Sequence, residues 1–90
     1  MVRRFYYRGV DGMGNKVTGA RIKGDWIINH VSRTMRTATG FWDVPGQYVG
    51  IVRKRHNRWY AEHDRAGGYE MECKTLTAAV EYLMRRDAIV

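Results

Sequence analysis

Apolar residues recur at helical spacing near the end of the chain. Five of them occupy positions i, i+3, i+4, i+7 and i+8, the stripe of an amphipathic helix: Leu76, Ala79, Val80, Leu83 and Met84. Thr75 precedes them as a good N-cap, and Arg85 and Arg86 follow where cations complement the helix dipole. The pattern predicts a helix from Leu76 to about Arg86 that packs its stripe on the core.

Before this helix, strand-like segments run at about 48–54, 58–64 and 68–74, separated by turn residues. Alternation then predicts which side chains face the helix: Val49, Ile51, Trp59, Ala61, Met71 and Cys73. The opposite face is expected to carry the other set: Val52, Lys54, Arg58, Tyr60 and Glu62. The pattern in the second half of the chain therefore predicts a three-stranded antiparallel sheet with the C-terminal helix packed on it.

The first half has a different pattern. Residues 3–10 and 16–22 have strand composition, and the glycine-rich stretch 11–15 between them predicts a β-hairpin. Asp25 is a plausible N-cap for a helix that fails by Gly40. Its apolar side chains recur at helical spacing: Ile27, Ile28, Val31 and Met35.

A turn is predicted between the two halves. Pro45-Gly46 is a strong turn signal, and Phe41 and Trp42 just before it are expected to fill the core. The fold class predicted is α+β: a β-hairpin and helix followed by a three-stranded antiparallel sheet with a packed C-terminal helix. Residues 1–90 form one domain of two parts, 1–45 and 46–90, and a homodimer is an open alternative for so small a core.

Charge adds a candidate function to this fold. The chain has 16 Lys and Arg against 9 Asp and Glu, a net charge of +7, which favours a polyanionic partner. Four basic residues cluster between apolar strands: Arg53, Lys54, Arg55 and Arg58. Tyr60 is the better stacking candidate beside them, because Trp59 has the parity of a core residue. Arg33 and Arg36 form a second candidate phosphate-contacting patch, on the first helix.

Residues 46–86 resemble the plant ethylene-response-factor type of DNA-binding domain, which also occurs in phage and mobile-element proteins. The likeness lies in Tyr48, Gly50 and Ile51, the basic run 53–55, and Trp59-Tyr60-Ala61-Glu62 at the family's spacing. A third strand and a threonine-capped, alanine-containing helix follow, as in that family.

This resemblance implies that the sheet lies in the major groove of DNA. It implies contacts with bases and phosphates from Arg53, Arg55, Arg58 and Trp59, and a phosphate contact from Lys54. The third strand is acidic in this chain, and we expect Glu70 and Glu72 to meet Lys or Arg across the sheet.

Catalytic and metal chemistry have little support in the sequence. The soft metal ligands are His30, His56, His63 and Cys73, and none of them has zinc-ligand spacing. Cys73 has no indicated base or oxyanion hole, and the glycine-rich stretch 9–14 lacks the features of a phosphate loop. We therefore expect no enzymatic activity, no metal and no cofactor.

The sequence hypothesis is a non-enzymatic DNA-binding protein, with an accessory protein of a phage or mobile element as the guess for its origin. The alternative is a small protein-interaction module, such as a viral inhibitor that docks on an acidic host protein. RNA binding ranks third. A single cysteine favours a reducing, cytoplasmic location, and no apolar run is long enough to predict a membrane span.

Overall fold

The described part of the chain forms one curled antiparallel sheet and one helix. A computed structural model describes residues 2–8 and 14–89. The elements are β1 (Val2–Arg8), β2 (Gly14–Ile22), β3 (Asp25–Thr37), β4 (Gly40–Arg55), β5 (Arg58–His63), β6 (Met71–Cys73) and α1 (Leu76–Ile89). Each strand pairs with its neighbours in the sequence, in the order β1-β2-β3-β4-β5-β6. The glycine-rich stretch between β1 and β2 lies outside the described residues.

The predicted fold class is wrong, because the described strands form one six-stranded antiparallel sheet and not a hairpin, a helix and a separate three-stranded sheet. The segment predicted as a helix is β3, which pairs with β2 on one side and β4 on the other, so the two halves of the chain share one sheet. Ile27, Ile28 and Val31 fit both a helical and an alternating period, and their β-branched side chains favour a strand. Backbone pairing with β2 and β4 makes this segment a strand and not a helix. This pairing depends on residues that are distant in the sequence.

Three of the hairpin turns have only two residues between the strands, and in two of these turns both residues have positive φ. Lys23 and Gly24 connect β2 to β3 with φ of 52° and 87°, and His56 and Asn57 connect β4 to β5 with φ of 51° and 63°. Positive φ at both positions is the backbone of a type I′ turn, whose twist matches that of the paired strands. Gly24 therefore closes a hairpin, where the sequence pattern suggested the start of a helix.

The strand β4 continues through Pro45-Gly46, where a turn was predicted. Register shifts between β3 and β4 at residues 28–33 produce bulges, and Pro45 pairs with Val31 among them, where a missing N–H is tolerated. A Cβ on Gly46 would lie 3.0 Å from the Ser32 Cβ, so glycine permits close approach at this bend. Phe41 is 71% exposed and Trp42 is 46% exposed, so the expectation that these two side chains fill the core is wrong.

The core lies between α1 and one face of the sheet. The predicted helix is confirmed: Thr75 Oγ1 accepts a hydrogen bond from the Ala78 N–H at 3.0 Å, and the whole predicted stripe is buried. The strands contribute a matching set of buried side chains: Phe5, Val17, Trp26, Ile28, Val49, Val52 and Ala61. A Cβ on Gly50 would lie 2.9 Å from the Leu83 Cδ2, so the helix sits directly on the sheet there.

A bulge in β4 changes which of its side chains face the helix. Gly50 pairs with Ile28 and Tyr48 pairs with Asn29, so Val49 is passed over and is buried. After the bulge Val52 is buried opposite Ala61, and Ile51 lies opposite Glu62 on the other face. The predicted placement of Ile51, Val52 and Lys54 is therefore reversed, while Val49, Trp59 and Ala61 face the helix as predicted.

The end of α1 is fastened to the sheet by Asp87. His63 Nδ1 accepts the Arg65 backbone N–H at 3.1 Å, so its proton is on Nε2, which donates to Asp87 Oδ1 at 3.0 Å. His30 Nε2 contacts the other carboxylate oxygen at 2.7 Å. Burial alone would raise the pKa of Asp87, but these two hydrogen bonds hold it below its ordinary value. The two histidines therefore act as a clamp between helix and sheet.

Candidate nucleic-acid interface

Most of the predicted contact residues lie on β4 and β5. Arg53 pairs with Tyr60 and Arg55 pairs with Arg58, so these four side chains share the sheet face opposite α1, which we call the outer face. Tyr60 also pairs with Glu72 of β6. The part of the outer face on these strands, with Glu62, Glu70 and Glu72, is called the β4–β6 face below.

Two carboxylates pair with the first arginine of this face. Arg53 Nη1 donates to Glu62 Oε1 at 2.9 Å and to Glu70 Oε2 at 3.0 Å. Hydrogen bonding to Glu62, reinforced by Glu70, raises the pKa of Arg53 above its ordinary value. The guanidinium is one-third exposed, and its charge is already balanced within the protein.

The other two arginines are paired in the same way. Arg55 Nη2 lies 2.5 Å from Glu70 Oε1, and Arg58 Nη1 lies 2.7 Å from Glu72 Oε2. Hydrogen bonds from Arg55 and Arg53 lower the pKa of Glu70, against the opposing effect of its burial. The sequence expectation that Glu70 and Glu72 meet basic residues across the sheet is confirmed. Three guanidinium groups therefore meet three carboxylates on the β4–β6 face.

Two of the predicted residues lie on the helix side of the sheet. Lys54 pairs with Trp59, and its ammonium lies 5.1 Å from the centre of the indole ring. Trp59 packs against the core and pairs with Cys73, whose thiol pKa is raised by burial. The aromatic ring of Tyr60, on the outer face, is covered by the Arg55 guanidinium at 4.5 Å. The stacking surfaces of this region therefore already have partners.

Arg33 and Arg36 lie in a different environment. Both lie near the end of β3, which pairs with the start of β4 to form a regular two-stranded ribbon of residues 33–44, with Arg33 opposite Val44 and Arg36 opposite Phe41. Both arginines are exposed. None of the ion pairs formed by residues 2–8 and 14–89 includes either of them. The ribbon thus presents two positive charges to solvent.

The ribbon also exposes large apolar side chains. Phe41 is 71% exposed, Trp42 46% and Met35 39%. Met35 pairs with Trp42, so these two lie on the ribbon face that also carries Arg33, while Phe41 lies with Arg36 on the other face. Each face of the ribbon therefore combines one arginine with at least one aromatic side chain.

A buried carboxylate holds the ribbon in place. Asp43 is 5% exposed; it accepts a hydrogen bond from Thr34 Oγ1 at 2.7 Å and is ion-paired with the guanidinium of Arg4, whose Nη2 lies 2.9 Å away. Hydrogen bonding from Thr34, and then from Arg4, lowers the pKa of Asp43 despite its burial. Because Arg4 is on β1, two strands away from β3, the ribbon must bend over the outer face to reach it.

The charge near the ribbon stays positive after this pairing. The Lys16 ammonium is close enough to contribute to the lowered pKa of Asp43. Four cations lie on or near the ribbon with one carboxylate, Asp43, which gives a net charge of +3: Arg4, Lys16, Arg33 and Arg36. The three arginines and three glutamates of the β4–β6 face have a net charge of zero. The region around the ribbon therefore has an excess of positive charge that the β4–β6 face lacks.

Arg33 and Arg36 were predicted as contact residues on a helix, whereas Arg4, Lys16 and Asp43 were not predicted from the sequence. A signal was present in the sequence: Thr34 and Thr37 are β-branched, and Gly40 follows a two-residue turn at 38–39. The link from Asp43 to Arg4 spans 39 positions of the chain, and no local pattern predicts it.

Among residues 2–8 and 14–89, no three His, Cys, Asp or Glu side chains are grouped so as to hold a metal ion. In the same ranges, α1 is too short and too polar to cross a bilayer. No protein-family model, curated protein or solved structure matches the chain.

Proposed function

We propose that this protein is a non-enzymatic nucleic-acid-binding protein that binds duplex DNA mainly through the ribbon. The observation that carries the proposal is the contrast in pairing between two sets of arginines. Arg33 and Arg36 are exposed without a carboxylate partner among the described residues, whereas each arginine of the β4–β6 face is paired with glutamate. Only unpaired cations gain fully from neutralising phosphate.

The shape of the ribbon favours duplex DNA. The major groove of B-form DNA is about 12 Å wide and admits a two-stranded ribbon. Because Arg33 and Arg36 project from opposite faces, they can reach phosphates on both sides of such a groove. The deep, narrow major groove of A-form RNA excludes the same element, so we expect weaker binding to an RNA duplex.

The β4–β6 face is proposed as a secondary contact. The family resemblance implies that Arg53, Arg55 and Arg58 read DNA, and this implication stays a prediction. For these side chains to bind phosphate, each must first exchange its glutamate partner, which reduces the net gain. We therefore rank this face below the ribbon.

The test is a fluorescence-anisotropy titration with a short DNA duplex over a series of salt concentrations. Each phosphate contact contributes about 0.9 to the slope of log K against log salt, so Arg33→Ala with Arg36→Ala should lower the slope by about 1.8. Arg85→Ala with Arg86→Ala is the matched control, because it removes the same charge from exposed positions on α1. This control should change the slope much less.

Two results would contradict the proposal in different ways. Absence of wild-type binding at low salt would exclude DNA as the ligand. Normal binding with an unchanged slope in the Arg33→Ala/Arg36→Ala variant would retain DNA but exclude the ribbon as its main contact.

The second candidate function is docking on an acidic protein. The exposed side chains of Met35, Phe41 and Trp42 favour it, because protein interfaces are enriched in Met and aromatic residues at their centre. Poly-glutamate at the same charge concentration as the duplex serves as an unstructured acidic chain. Tighter binding to poly-glutamate than to DNA would support docking, and the reverse would support the proposal above.

A further inference from the structure

A pocket lies where the ribbon bends over the outer face of the sheet. Its volume is about 340 Å³, and part of its wall is apolar: Ala20, Ile22, Ile27, Trp42 and Pro45. The first three come from β2 and β3, Trp42 comes from the ribbon, and Pro45 follows the ribbon on β4. Pockets of about 300–1,000 Å³ with mostly apolar walls are typical of small-molecule sites.

The polar part of the wall contains an unpartnered hydroxyl. Thr18 lines the pocket and is 4% exposed, and its Oγ1 has no hydrogen-bond partner among the described residues. A buried hydroxyl without a partner costs about 1–3 kcal/mol. Rotation about the Cα–Cβ bond moves the Thr18 hydroxyl to another staggered position, which allows the hydroxyl to meet a molecule in the pocket.

The other polar side chains of the pocket already have partners. Asp43 is bound by Arg4 and Thr34, so its charge is compensated. The Asn29 Nδ2 donates to the Gly46 carbonyl oxygen at 2.9 Å. A charged ligand would therefore find no free counter-charge in this wall, whereas a neutral ligand would have the Thr18 hydroxyl available.

We propose that this pocket binds a small, neutral, largely apolar molecule with one hydroxyl or carbonyl group, which forms a hydrogen bond with Thr18. The apolar body of the molecule would contact Ile27 and Pro45. The site does not depend on the proposed DNA binding, because none of its wall contacts involves Arg33 or Arg36.

The experiment uses the full chain, labelled with ¹⁵N, in NMR titrations with p-cresol and p-xylene. These probes have the same size, and p-cresol has a hydroxyl where p-xylene has a second methyl group. Both should bind with shifts of amides in β2, β3 and the ribbon. One hydrogen bond predicts that p-cresol binds more tightly by about fivefold.

Two variants test the role of the pocket. Thr18→Val has nearly the same shape and should remove the preference for p-cresol while retaining binding of p-xylene. Ala20→Phe should fill the pocket and abolish binding of both probes. If the spectrum of Ala20→Phe shows an unfolded protein, the comparison of Thr18→Val with wild type alone tests the proposal.

The proposal is overturned if neither probe binds the wild type at millimolar concentration, or if the shifts lie outside the pocket. It is also overturned if Thr18→Val keeps the full preference for p-cresol, because the hydroxyl would then have no part in recognition. Unchanged binding to a folded Ala20→Phe variant would exclude this pocket as the site.

Discussion

The ribbon and the β4–β6 face have similar compositions and different electrostatics. Both carry arginines beside aromatic side chains, and both lie on or over the face of the sheet opposite α1. On the β4–β6 face three glutamates balance three arginines. The ribbon has one carboxylate, Asp43, which is buried against Arg4 on another strand.

This difference shows that a basic run in the sequence does not establish a basic surface. Residues 53–58 form the densest cationic cluster in the sequence, yet the charges of its three arginines are balanced by Glu62, Glu70 and Glu72 once the strands pair. Arg33 and Arg36 are separated in the sequence and keep their charge exposed. The location of the carboxylates therefore decides which arginines are free to bind.

The largest expected effect comes from removing the balance on the β4–β6 face. The triple substitution Glu62→Gln, Glu70→Gln and Glu72→Gln should free three arginines. At about 0.9 for each phosphate contact, the salt slope of DNA binding should increase by up to about 2.7, with higher affinity at low salt. Anisotropy titrations at several salt concentrations measure both quantities.

The matched control for this triple variant replaces three other acidic residues: Asp25→Asn, Asp64→Asn and Glu81→Gln. They make no ion pair among the described residues, and the net charge changes equally. An equal gain in both triple variants would mean that total charge, and not release of these arginines, controls binding.

The next effect concerns the anchor of the ribbon. Asp43→Ala removes the acceptor for Arg4 and Thr34, and hydrogen bonds to charged groups contribute about 1.5–3 kcal/mol each in favourable cases. Because Arg4 is half-exposed, we expect a total loss of about 2 kcal/mol in the free energy of unfolding. Chemical denaturation measures it.

Asp64→Ala is the control for the anchor, since Asp64 is exposed and its side chain has no ion pair among the described residues. It should change the free energy of unfolding by less than about 0.5 kcal/mol. Equal effects of the two substitutions would contradict an anchoring role for Asp43.

A third prediction concerns pH. The folded-state pKa of Asp43 lies below its ordinary value, so its contribution to stability is complete above the pKa of the unfolded chain. That contribution should be lost as the pH falls from the ordinary carboxyl range through the lower folded-state value. Denaturation of the wild type and of Asp43→Asn at several acidic pH values checks this.

The stability of Asp43→Asn should fall less steeply with decreasing pH than that of the wild type. Asp87 and Glu70 also have lowered pKa values, so both proteins should keep some acid sensitivity. Identical pH profiles would mean that ionised Asp43 does not stabilise the folded protein.

The smallest expected effect is on the exposed end of the ribbon. Phe41→Ala should change the free energy of unfolding by less than about 0.5 kcal/mol. Phe5→Ala should cost about 3–5 kcal/mol, because Phe5 is buried and its ring meets that of Trp26 edge-on at 6.1 Å. A large destabilisation by Phe41→Ala would place the end of the ribbon in the core and contradict its exposure.

The elements that sequence reasoning predicted well depend on local signals. The stripe of α1 and its Thr75 cap lie within a few turns of one helix. The hairpin of β4 and β5 has left-handed turn residues, His56 and Asn57, between two strand-like runs. These patterns need no information from distant parts of the chain.

The features that sequence reasoning missed depend on distant pairing. Ile27, Ile28 and Val31 fit two periods, and only pairing with β2 and β4 makes them a strand. A bulge passes over Val49, and it reverses the faces of Ile51 and Val52. The candidate site also depends on distant pairing, since Arg55 of β4 pairs with Glu70, the residue before β6.

The most direct test of the central claim is to map the DNA contact residue by residue. A ¹⁵N-labelled sample titrated with a short duplex at low salt shows which amides shift. We predict the largest shifts at residues 33–44, with smaller changes at 53–58. Shifts concentrated on β4, β5 and β6 at residues 53–72, with an unperturbed ribbon, would contradict the claim that exposed, unpaired arginines determine where this protein binds.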